Sequence, residues 1–267
     1  MPPESSKRKP LLRSRLDVAL VGRGLAESRA LAQRLVLAGR VRISGETALK
    51  PSQLVVPEAR LEVIAPAPFV SRGGDKLRTA LTAFGLDPTG KVCADVGAST
   101  GGFTDCLLQA GAARVYAIDV GHGILHWKLR SDGRVVVLER TNVRYLPSLP
   151  ASVDLVTIDA AFISLSLILP VVVGWLGPGG DVVALVKPQF EAGRGAVGKG
   201  GVVRDKVVHR QVLEAVLAAS ASVALAPQSL IRSPLRGPKG NVEFLLWSRM
   251  GGEARHLEED IKRAIEE

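Results

Sequence analysis

The stretch Lys91-Val92-Cys93-Ala94-Asp95-Val96-Gly97-Ala98-Ser99-Thr100-Gly101-Gly102-Phe103-Thr104 decides the fold of this chain. A short apolar run ends in an acidic residue, a glycine-rich turn follows, and an apolar segment of helical period comes next. That order predicts a strand, a tight loop and a helix. Glycine lets the backbone approach a ligand closely, and the N-terminus of a helix offers unpaired N–H groups.

The spacing of glycines in this loop separates classes of ligand. The loop lacks the Gly-Lys-Ser/Thr ending of a triphosphate site and the Gly-x-Gly-x-x-Gly spacing of a dinucleotide site. The pattern Asp-x-Gly-x-x-x-Gly-Gly instead suits a loop that holds the amino-acid end of S-adenosylmethionine (SAM). We therefore expect contacts to this cofactor from Asp95, Gly97, Ala98, Ser99, Thr100, Gly101, Gly102 and Phe103.

The composition is that of a folded, strongly basic protein. The 267 residues are 46% hydrophobic and only 4% aromatic, and the net charge is +9. Residues 1–65 hold twelve Lys or Arg against six Asp or Glu, so most of the positive excess lies in the first quarter. This asymmetry favours a nucleic acid partner, although a basic surface with no specific partner would give the same composition.

Two cysteines, Cys93 and Cys106, are too few for a disulfide framework, and we expect buried thiols in a reducing cytoplasm. No stretch approaches the ~20 apolar residues that span a bilayer. The charged N-terminus has no apolar segment behind it, which argues against a secretory signal. A cytoplasmic protein without a membrane partner is expected, and a monomer is the default.

The segment Ala65-Pro66-Ala67-Pro68 is the best candidate for a linker, because its prolines block regular pairing. We predict a disordered basic tail over residues 1–10, a small domain over 11–64, a linker over 65–70 and a large domain over 71–267.

The small domain resembles the αL RNA-binding domain, also called the S4 domain. The matching residues are Arg15-Leu16-Asp17, Ala30 to Leu37, and Gly39-Arg40-Val41-Arg42-Ile43-Ser44-Gly45. The resemblance implies helices whose basic faces follow phosphates, which give affinity but little sequence choice. Any one of the candidate arginines could equally be a solvated side chain; the candidates are Arg13, Arg15, Arg29, Arg34, Arg40 and Arg42.

The remainder alternates strands with helices, which predicts a mostly parallel seven-stranded sheet covered on both faces. Strands are predicted over 91–95, 114–119, 135–139, 153–159, 181–187, 222–230 and 242–248. Helices are predicted over 75–84, 103–110, 163–173, 207–219 and 253–265.

Ligands of such sheets bind beyond the carboxyl ends of the strands. Asp119 ends the second strand, where a carboxylate can accept hydrogen bonds from ribose hydroxyls, although it could instead cap a helix. A ribose contact would suit a nicotinamide cofactor as well, so only the loop spacing favours SAM. Val120 adjoins this position, and Glu139, Thr141 and Asn142 are expected near the adenine.

Four charged residues lie where burial would require partners. Lys187 follows five apolar residues, and Asp159 at the end of the adjacent strand is its expected partner. Glu243 interrupts an apolar strand, and Lys76 lies at the start of a helix. These four residues could form a catalytic cluster at the ligand-binding edge of the sheet. Alternatively, they could form two ion pairs with a purely structural role.

Beyond these residues, the chain resembles the TlyA-type ribosomal RNA 2'-O-methyltransferases, historically called hemolysin A. The resemblance runs from about Arg13 to about Ser248, nearly the whole chain, and rests on six blocks: Phe69 to Leu77, Asp95 to Thr104, Leu138 to Arg144, Leu185 to Glu191, Gly200 to Val203 and Gly237 to Glu243. The resemblance implies a Rossmann-like, FtsJ-like methyltransferase fold for the large domain. It also implies a catalytic tetrad formed by Lys76, Asp159, Lys187 and Glu243.

The implied activity is methyl transfer from SAM to the ribose 2'-oxygen of a cytidine in small- or large-subunit ribosomal RNA, with the ribosomal subunits as partners. The alternatives are a non-catalytic ribosome-binding or RNA-binding factor and, less well supported, a membrane-lytic hemolysin. His122 and His126 could share a helix face, but no further ligands are spaced to help them, so no metal site is expected.

Overall fold

The computed structural model describes residues 12–65 and 67–267. The predicted disordered tail over residues 1–10 and Pro66 of the predicted linker lie outside the described residues. The chain divides into two compact units, of which the first ends at Ala67 and the second spans Pro68–Glu267.

The first unit combines two helices with short antiparallel strands. Its helices are α1 (Leu16–Gly22) and α2 (Arg29–Leu37), and its strands are β1 (Ser14–Arg15), β2 (Val41–Ile43), β3 (Glu46–Thr47), β4 (Leu54–Val55) and β5 (Leu61–Val63). Strand β2 lies between β3 and β5, and β1 pairs with β4. The helices implied by the resemblance to the S4 domain are present.

A buried carboxylate organises the first unit. Asp17 has no exposed surface and accepts hydrogen bonds from Arg15, Arg29 and Gln33. The guanidinium of Arg15 is the largest cause of a pKa for Asp17 that lies well below its usual range. The side chain therefore stays charged and joins the two helices.

The second unit begins with α3 (Gly73–Phe84) and then alternates strands with helices. In chain order these are β6 (Val92–Val96), α4 (Gly102–Gln109), β7 (Arg114–Ile118), α5 (Trp127–Arg130), β8 (Val135–Leu138), β9 (Val153–Ile158), α6 (Leu165–Val173), β10 (Leu176–Val186), α7 (Pro188–Glu191), α8 (Lys206–Ser222), β11 (Leu225–Arg232), β12 (Phe244–Met250) and α9 (Glu258–Glu266).

The predicted seven-stranded sheet is confirmed, with the order β11-β12-β10-β9-β6-β7-β8. The pairs from β10 to β8 are all parallel, whereas β12 runs antiparallel to both β10 and β11. Helices cover both faces: α6, α8 and α9 pack on one cluster of buried residues, and α3 and α4 pack on the other. Cys93 and Cys106 are buried as expected, and burial raises the pKa of each thiol to about 12.

Several predicted boundaries are wrong by a few residues. Strand β10 begins at Leu176 instead of residue 181, because Leu176 already pairs with Val153 of β9; the glycine-rich segment that follows forms a register irregularity before Asp181. Helix α8 continues to Ser222, where a strand was predicted. Of the helices in the described residues, none has the length and apolar character needed to cross a membrane.

Candidate active site

A cleft of about 1620 Å³ opens at the edge of the sheet where the parallel strands end. The loops after β6, β7, β8, β9 and β10 line it, together with the first turn of α3. Ten of the thirteen predicted cofactor residues lie on its surface: Gly97, Ala98, Ser99, Thr100, Gly102, Phe103, Asp119, Val120, Thr141 and Asn142.

The loop after β6 passes very close to the loop after β9. Gly97 has a φ angle of +82°, and a Cβ atom there would lie 2.8 Å from the carbonyl oxygen of Asp159. The amide of Asp159 donates to the carbonyl of Val96 over 2.9 Å, which joins the two loops. Glycine is therefore required at position 97 both for the backbone conformation and for the space.

Close packing of two helix N-termini places Lys76 beside this loop. A Cβ atom on Gly102, at the start of α4, would lie 2.9 Å from the amide nitrogen of Gly74 in α3. A Cβ atom on Gly74 would in turn lie 2.2 Å from the ring of Phe69. The first turns of both helices thus face the cleft, where their unpaired N–H groups favour an anionic group.

Asp119 ties the end of β7 to the glycine loop. Its Oδ2 atom accepts from the amide of Ser99, and its Oδ1 atom accepts from the amide of Gly121, each over 2.7 Å. Each carboxylate oxygen keeps a second lone pair that can accept a ribose hydroxyl. The helix-cap alternative is wrong, because the next helix begins only at Trp127.

Asp95 does not reach the cleft, which corrects its prediction as a cofactor contact. It lies within β6, is fully buried, and accepts from the hydroxyls of Thr104 over 2.6 Å and Thr157 over 3.3 Å. Thr157 is its direct neighbour on β9. Burial raises the pKa of Asp95 to about 7. Asp95 therefore has a structural role: its buried hydrogen bonds join β6, directly before the glycine loop, to α4 and β9.

Gly101 also lies outside the lining of the cleft. It precedes α4 with a φ angle of +99°, and a Cβ atom there would lie 2.1 Å from Leu129. Its contribution is therefore to the backbone turn between the loop and the helix, and the predicted cofactor contact is not present on the cleft surface.

Glu139 was expected near the adenine, yet it is not among the residues that line the cleft. Its carboxylate accepts from the amide of Gly123 and from Arg130 and contacts His122; these contacts, led by the Gly123 amide, lower its pKa to about 2. His126 instead accepts from a backbone amide in α5. In residues 12–65 and 67–267 no three His, Cys, Asp or Glu side chains form a group that could hold a metal ion.

Lys187 and Asp159 form the first of two ion pairs in the cleft. The Nζ atom of Lys187 lies 2.5 Å from Oδ1 of Asp159 and also donates to the carbonyls of Asp159 and Ala160, over 3.3 and 3.0 Å. The three donors of the ammonium therefore have three oxygen partners. The pair predicted from the burial of Lys187 is confirmed.

Lys76 and Glu243 form the second ion pair, with 2.5 Å between Nζ and Oε2. Glu243 is 2% exposed and Lys76 is 8% exposed. Strand β12 begins one residue after Glu243, so this carboxylate lies at the edge of the sheet. The prediction that Glu243 lies inside a strand is wrong. All four residues of the predicted tetrad line the same cleft; their catalytic roles stay a prediction.

Several polar groups of the cleft were not predicted from the sequence, including Ser71, Ser164 and Gln189. The Oε1 atom of Gln189 is buried and has no hydrogen-bond partner within the described part of the chain. A ligand donor could satisfy this atom. No spacing rule identifies these residues; their position directly after strand ends or before a helix is the only signal in the sequence.

Phe162 forms an aromatic rim beside the Lys187–Asp159 pair. Its side chain is 89% exposed, its φ angle is +63°, and its ring centroid lies 4.9 Å from that of Phe190. A large exposed ring on a strained backbone is unusual for a residue with only a structural role.

The residues of the cleft fit SAM. Gly97 leaves room where a Cβ atom would clash, the first turn of α4 can hold a carboxylate, and Asp119 can accept two ribose hydroxyls. Gln189 supplies an unsatisfied acceptor for an amino or hydroxyl donor. The cleft is also large enough to admit a second substrate beside the cofactor.

The six arginines predicted to bind RNA fall into two groups. Arg15 and Arg29 pair with Asp17, and Arg40 donates twice to the carbonyl of Ile64. The other three are exposed and form no salt bridge within the described residues; these are Arg13, Arg34 and Arg42.

Comparison with known proteins agrees with this arrangement. The family model of the FtsJ-like methyltransferases matches residues 69–250, and that of the S4 domain matches residues 14–61. The 16S/23S rRNA (cytidine-2'-O)-methyltransferase TlyA of Mycobacterium tuberculosis is 48% identical over 263 residues, 96% of this chain and 98% of the relative. Hemolysin A of Brachyspira hyodysenteriae is 39% identical and covers 86% of this chain and 98% of its own.

A solved structure from Streptococcus thermophilus, described as a candidate hemolysin, superposes with a TM-score of 0.74 at 41% identity. It covers 96% of this chain and 95% of its own. The residues matched by the FtsJ-like family model include both ion pairs and the whole glycine loop, and the TlyA relative covers 96% of this chain. The chain therefore belongs to the FtsJ-like family of SAM-dependent methyltransferases, in the TlyA group that carries an S4 domain before the catalytic domain.

Proposed function

We propose that this protein transfers a methyl group from SAM to the ribose 2'-oxygen of a cytidine in ribosomal RNA. The observation that carries the proposal is the convergence of two Lys–carboxylate pairs beside the glycine loop in one cleft. The relatives named for cytidine-2'-O methylation of ribosomal RNA support the choice of substrate.

The bound cofactor supplies an electrophilic methyl group on a sulfonium. The loop from Gly97 to Thr100 would hold the amino-acid end of the cofactor, the carboxylate of Asp119 would hold its ribose, and Thr141 and Asn142 after β8 would contact its adenine. Much of the rate then comes from correct placement of the attacking oxygen.

Lys187 and Asp159 orient that oxygen. Because three oxygen atoms surround the ammonium of Lys187, it is held in one direction at the edge of the cleft. When RNA binds, the ammonium would exchange one of its two carbonyl contacts for a hydrogen bond to the ribose 2'-oxygen. The hydroxyl proton would pass to the partly exposed carboxylate of Asp159, and the methyl group that SAM supplies would take its place on the oxygen.

Lys76 and Glu243 provide a second, more buried positive group. Glu243 fixes the ammonium of Lys76 at the first turn of α3. From there Lys76 can stabilise negative charge on the nucleotide, either at the reacting oxygen or at a neighbouring phosphate. The exposed ring of Phe162 offers a stacking surface for a base that has been turned out of its helix.

The S4 domain binds the RNA, and the catalytic domain modifies it. The exposed arginines at positions 13, 34 and 42 carry the phosphate contacts of the first unit. The substrate is assembled into ribosomal subunits, so the protein acts in the cytoplasm, and it acts there as a monomer. The requirement for a 2'-hydroxyl predicts activity on RNA and none on DNA.

The experiment combines purified protein, SAM with a labelled methyl group, and small and large ribosomal subunits from cells that lack the modification. Mass spectrometry of the RNA should detect 2'-O-methylcytidine. The Lys187→Met variant should lose about 100-fold or more in kcat, whereas Lys262→Met, on an exposed surface of α9, should keep full activity.

SAM binding is also measured by calorimetry, and Lys187→Met should bind the cofactor as the wild type does. Loss of methyl transfer by this variant then reflects the chemical step and not a loss of cofactor. Methyl groups on bases instead of ribose, or equal rates for the two variants, would contradict the proposal. Full SAM binding with no transfer to either subunit would favour a non-catalytic RNA-binding factor.

A further inference from the structure

A second cleft, of about 430 Å³, lies in the catalytic domain beside the first. Its lining includes five cationic side chains and no carboxylate: Arg204, Lys206, Arg232, Arg236 and Lys239. Such a collection of positive charge without acidic neighbours repels itself unless an anion or solvent compensates it. Ordinary surface cations alternate with carboxylates, so this composition requires an explanation.

These five cations are not used inside the protein. Within residues 12–65 and 67–267, none of them forms a salt bridge. Four are exposed and Arg232 is half-buried. Arg236 makes one hydrogen bond, to the carbonyl of Gly240. The donors therefore remain available to an external partner.

The only other titratable side chain on the lining is His209, and it does not add charge. Its Nε2 atom is 3.1 Å from the carbonyl of Val203, to which it donates. Burial, together with the nearby charge of Arg232, lowers the pKa of His209. Asp205, which lies between Arg204 and Lys206 in the chain, caps α8 by accepting from the amide of Val207 over 2.8 Å. The first turn of α8, which begins at Lys206, adds its own positive end to the cleft.

The two clefts share a wall. Gly201 and Pro238 line the first cleft, and their neighbours Val202 and Lys239 line the second. The buried side chain of Asn241 joins the two loops of this wall: it accepts from the amide of Val203 over 3.0 Å and donates to the carbonyl of Gly201 over 2.9 Å.

The same wall positions a residue of the ion pairs. A Cβ atom on Gly237 would lie 2.5 Å from Oε1 of Glu243, and the amide of Gly237 donates to the carbonyl of Asn241 over 3.0 Å. An extended polymer that leaves the first cleft across this wall would reach the second. Phosphates of an RNA strand recur along such a path, whereas a small anion would have no reason to need both clefts.

We propose that this basic cleft, bounded by Arg204, Lys206, Arg232, Arg236 and Lys239, binds backbone phosphates of the RNA strand that flank the target nucleotide. The inference rests on the proposed function, because it takes the RNA to be the substrate of the first cleft. It assigns to the catalytic domain a phosphate-binding site of its own, separate from the S4 domain.

The test uses the full chain with three substitutions of exposed cations, Arg204→Gln, Arg236→Gln and Lys239→Gln. The matched control removes the same charge from exposed positions that line neither cleft, with Arg114→Gln, Arg255→Gln and Lys262→Gln. Binding of protein-free ribosomal RNA is measured at several salt concentrations, and methyl transfer to intact subunits is measured in parallel.

We expect the cleft variant to bind RNA about tenfold more weakly and its salt dependence, the slope of log K against log salt, to fall by about 2, because each lost single-strand phosphate contact removes about 0.7. Its KM for RNA should rise while kcat at saturating RNA and the Kd for SAM stay unchanged. The control variant should change both RNA quantities by less than half as much.

Equal affinity and slope for the cleft variant and its control would overturn the proposal. So would a defect seen only on intact subunits and not on protein-free RNA, because that result would identify an acidic ribosomal protein as the partner. The RNA-binding measurement is independent of turnover, so a protein that binds RNA through this cleft without transferring methyl groups would refute the proposed function alone. Removing only Arg204 and Arg236 provides a second variant if the triple one is unstable.

Discussion

The ammonium nitrogen of Lys76 lies 2.5 Å from Oε2 of Glu243, a residue 167 positions further along the chain. One residue opens the catalytic domain and the other precedes β12, yet both are buried in the wall of one cleft. A buried charge without its partner is far less stable than the pair. The two residues therefore depend on each other for stability as well as for any catalytic role.

Replacing Glu243 by alanine should lower the free energy of unfolding by about 3 kcal/mol, because it leaves the ammonium of Lys76 buried and unpaired. The double variant Lys76→Met/Glu243→Leu should recover most of that loss, since two apolar side chains need no partner. Urea denaturation of the full chain measures both. The double variant should nevertheless transfer no methyl groups; restored transfer would show that the pair is structural only.

Gly97→Ala should weaken SAM binding at least about tenfold and destabilise the protein, because steric overlap displaces the cofactor loop. The new Cβ atom would lie 2.8 Å from a backbone oxygen in a loop with φ of +82°. Gly90→Ala is the matched control: its φ is +73°, but nothing lies within 4 Å of the added atom. It should lose only about 1 kcal/mol. Calorimetric titration with SAM and thermal unfolding give both readouts, and similar behaviour of the two variants would refute the steric argument.

Asp95 should make the stability of the protein fall as pH rises towards neutrality. Burial raises its pKa to about 7 in the folded state, from an ordinary value of 3.8. Between these values the folded state binds the proton more tightly than the unfolded state, so the stabilisation is complete below about pH 4 and is lost as pH rises through about 7.

The Asp95→Asn variant isolates this effect because it cannot titrate. The difference in unfolding free energy, wild type minus variant, should decrease by up to about 1.4 kcal/mol per pH unit between pH 4 and 7 and should be flat outside that window. Denaturation curves at five pH values measure it. A difference that is constant across the range would mean that Asp95 stays ionised in the fold.

The arginines of the first unit should separate into structural and RNA-binding residues. Arg15→Gln removes the main partner of the buried Asp17 and should lower the melting temperature. Arg34→Gln and Arg42→Gln should leave the melting temperature unchanged, reduce affinity for ribosomal RNA and reduce its salt dependence. Unchanged RNA binding in both of these variants would remove their assigned role.

Much of the site could be predicted from the sequence, because ligands of parallel sheets bind beyond the carboxyl ends of the strands. Asp119, Asp159 and Lys187 each follow a run of apolar residues, and each comes one position after its strand ends. A side chain placed just beyond a strand projects over the edge of the sheet. Asp95 looks the same in the sequence, but its strand continues to Val96, so its side chain is buried against a face of the sheet, where Thr104 of α4 and Thr157 of β9 donate to it.

Other features could not be predicted because they depend on distant contacts. Gln189 carries no pattern of its own, and only the packing around it leaves its Oε1 atom without a partner. The short helix α5 has four residues, too few for helical periodicity. The basic cleft combines cations from the segment before α8, the start of α8, the end of β11 and the loop before β12, and nothing in the sequence joins them until the fold brings them together.

The reversed direction of β12 has a consequence for how the enzyme is completed. Strand β12 hydrogen-bonds to β10 on one side and β11 on the other, so β11 cannot join the sheet until β12 lies between them. During synthesis the cofactor loop and three members of the tetrad emerge well before Glu243. The last hairpin of the sheet, β11 and β12, therefore completes the site, and Lys76 meets its counter-charge only when β12 pairs with β10.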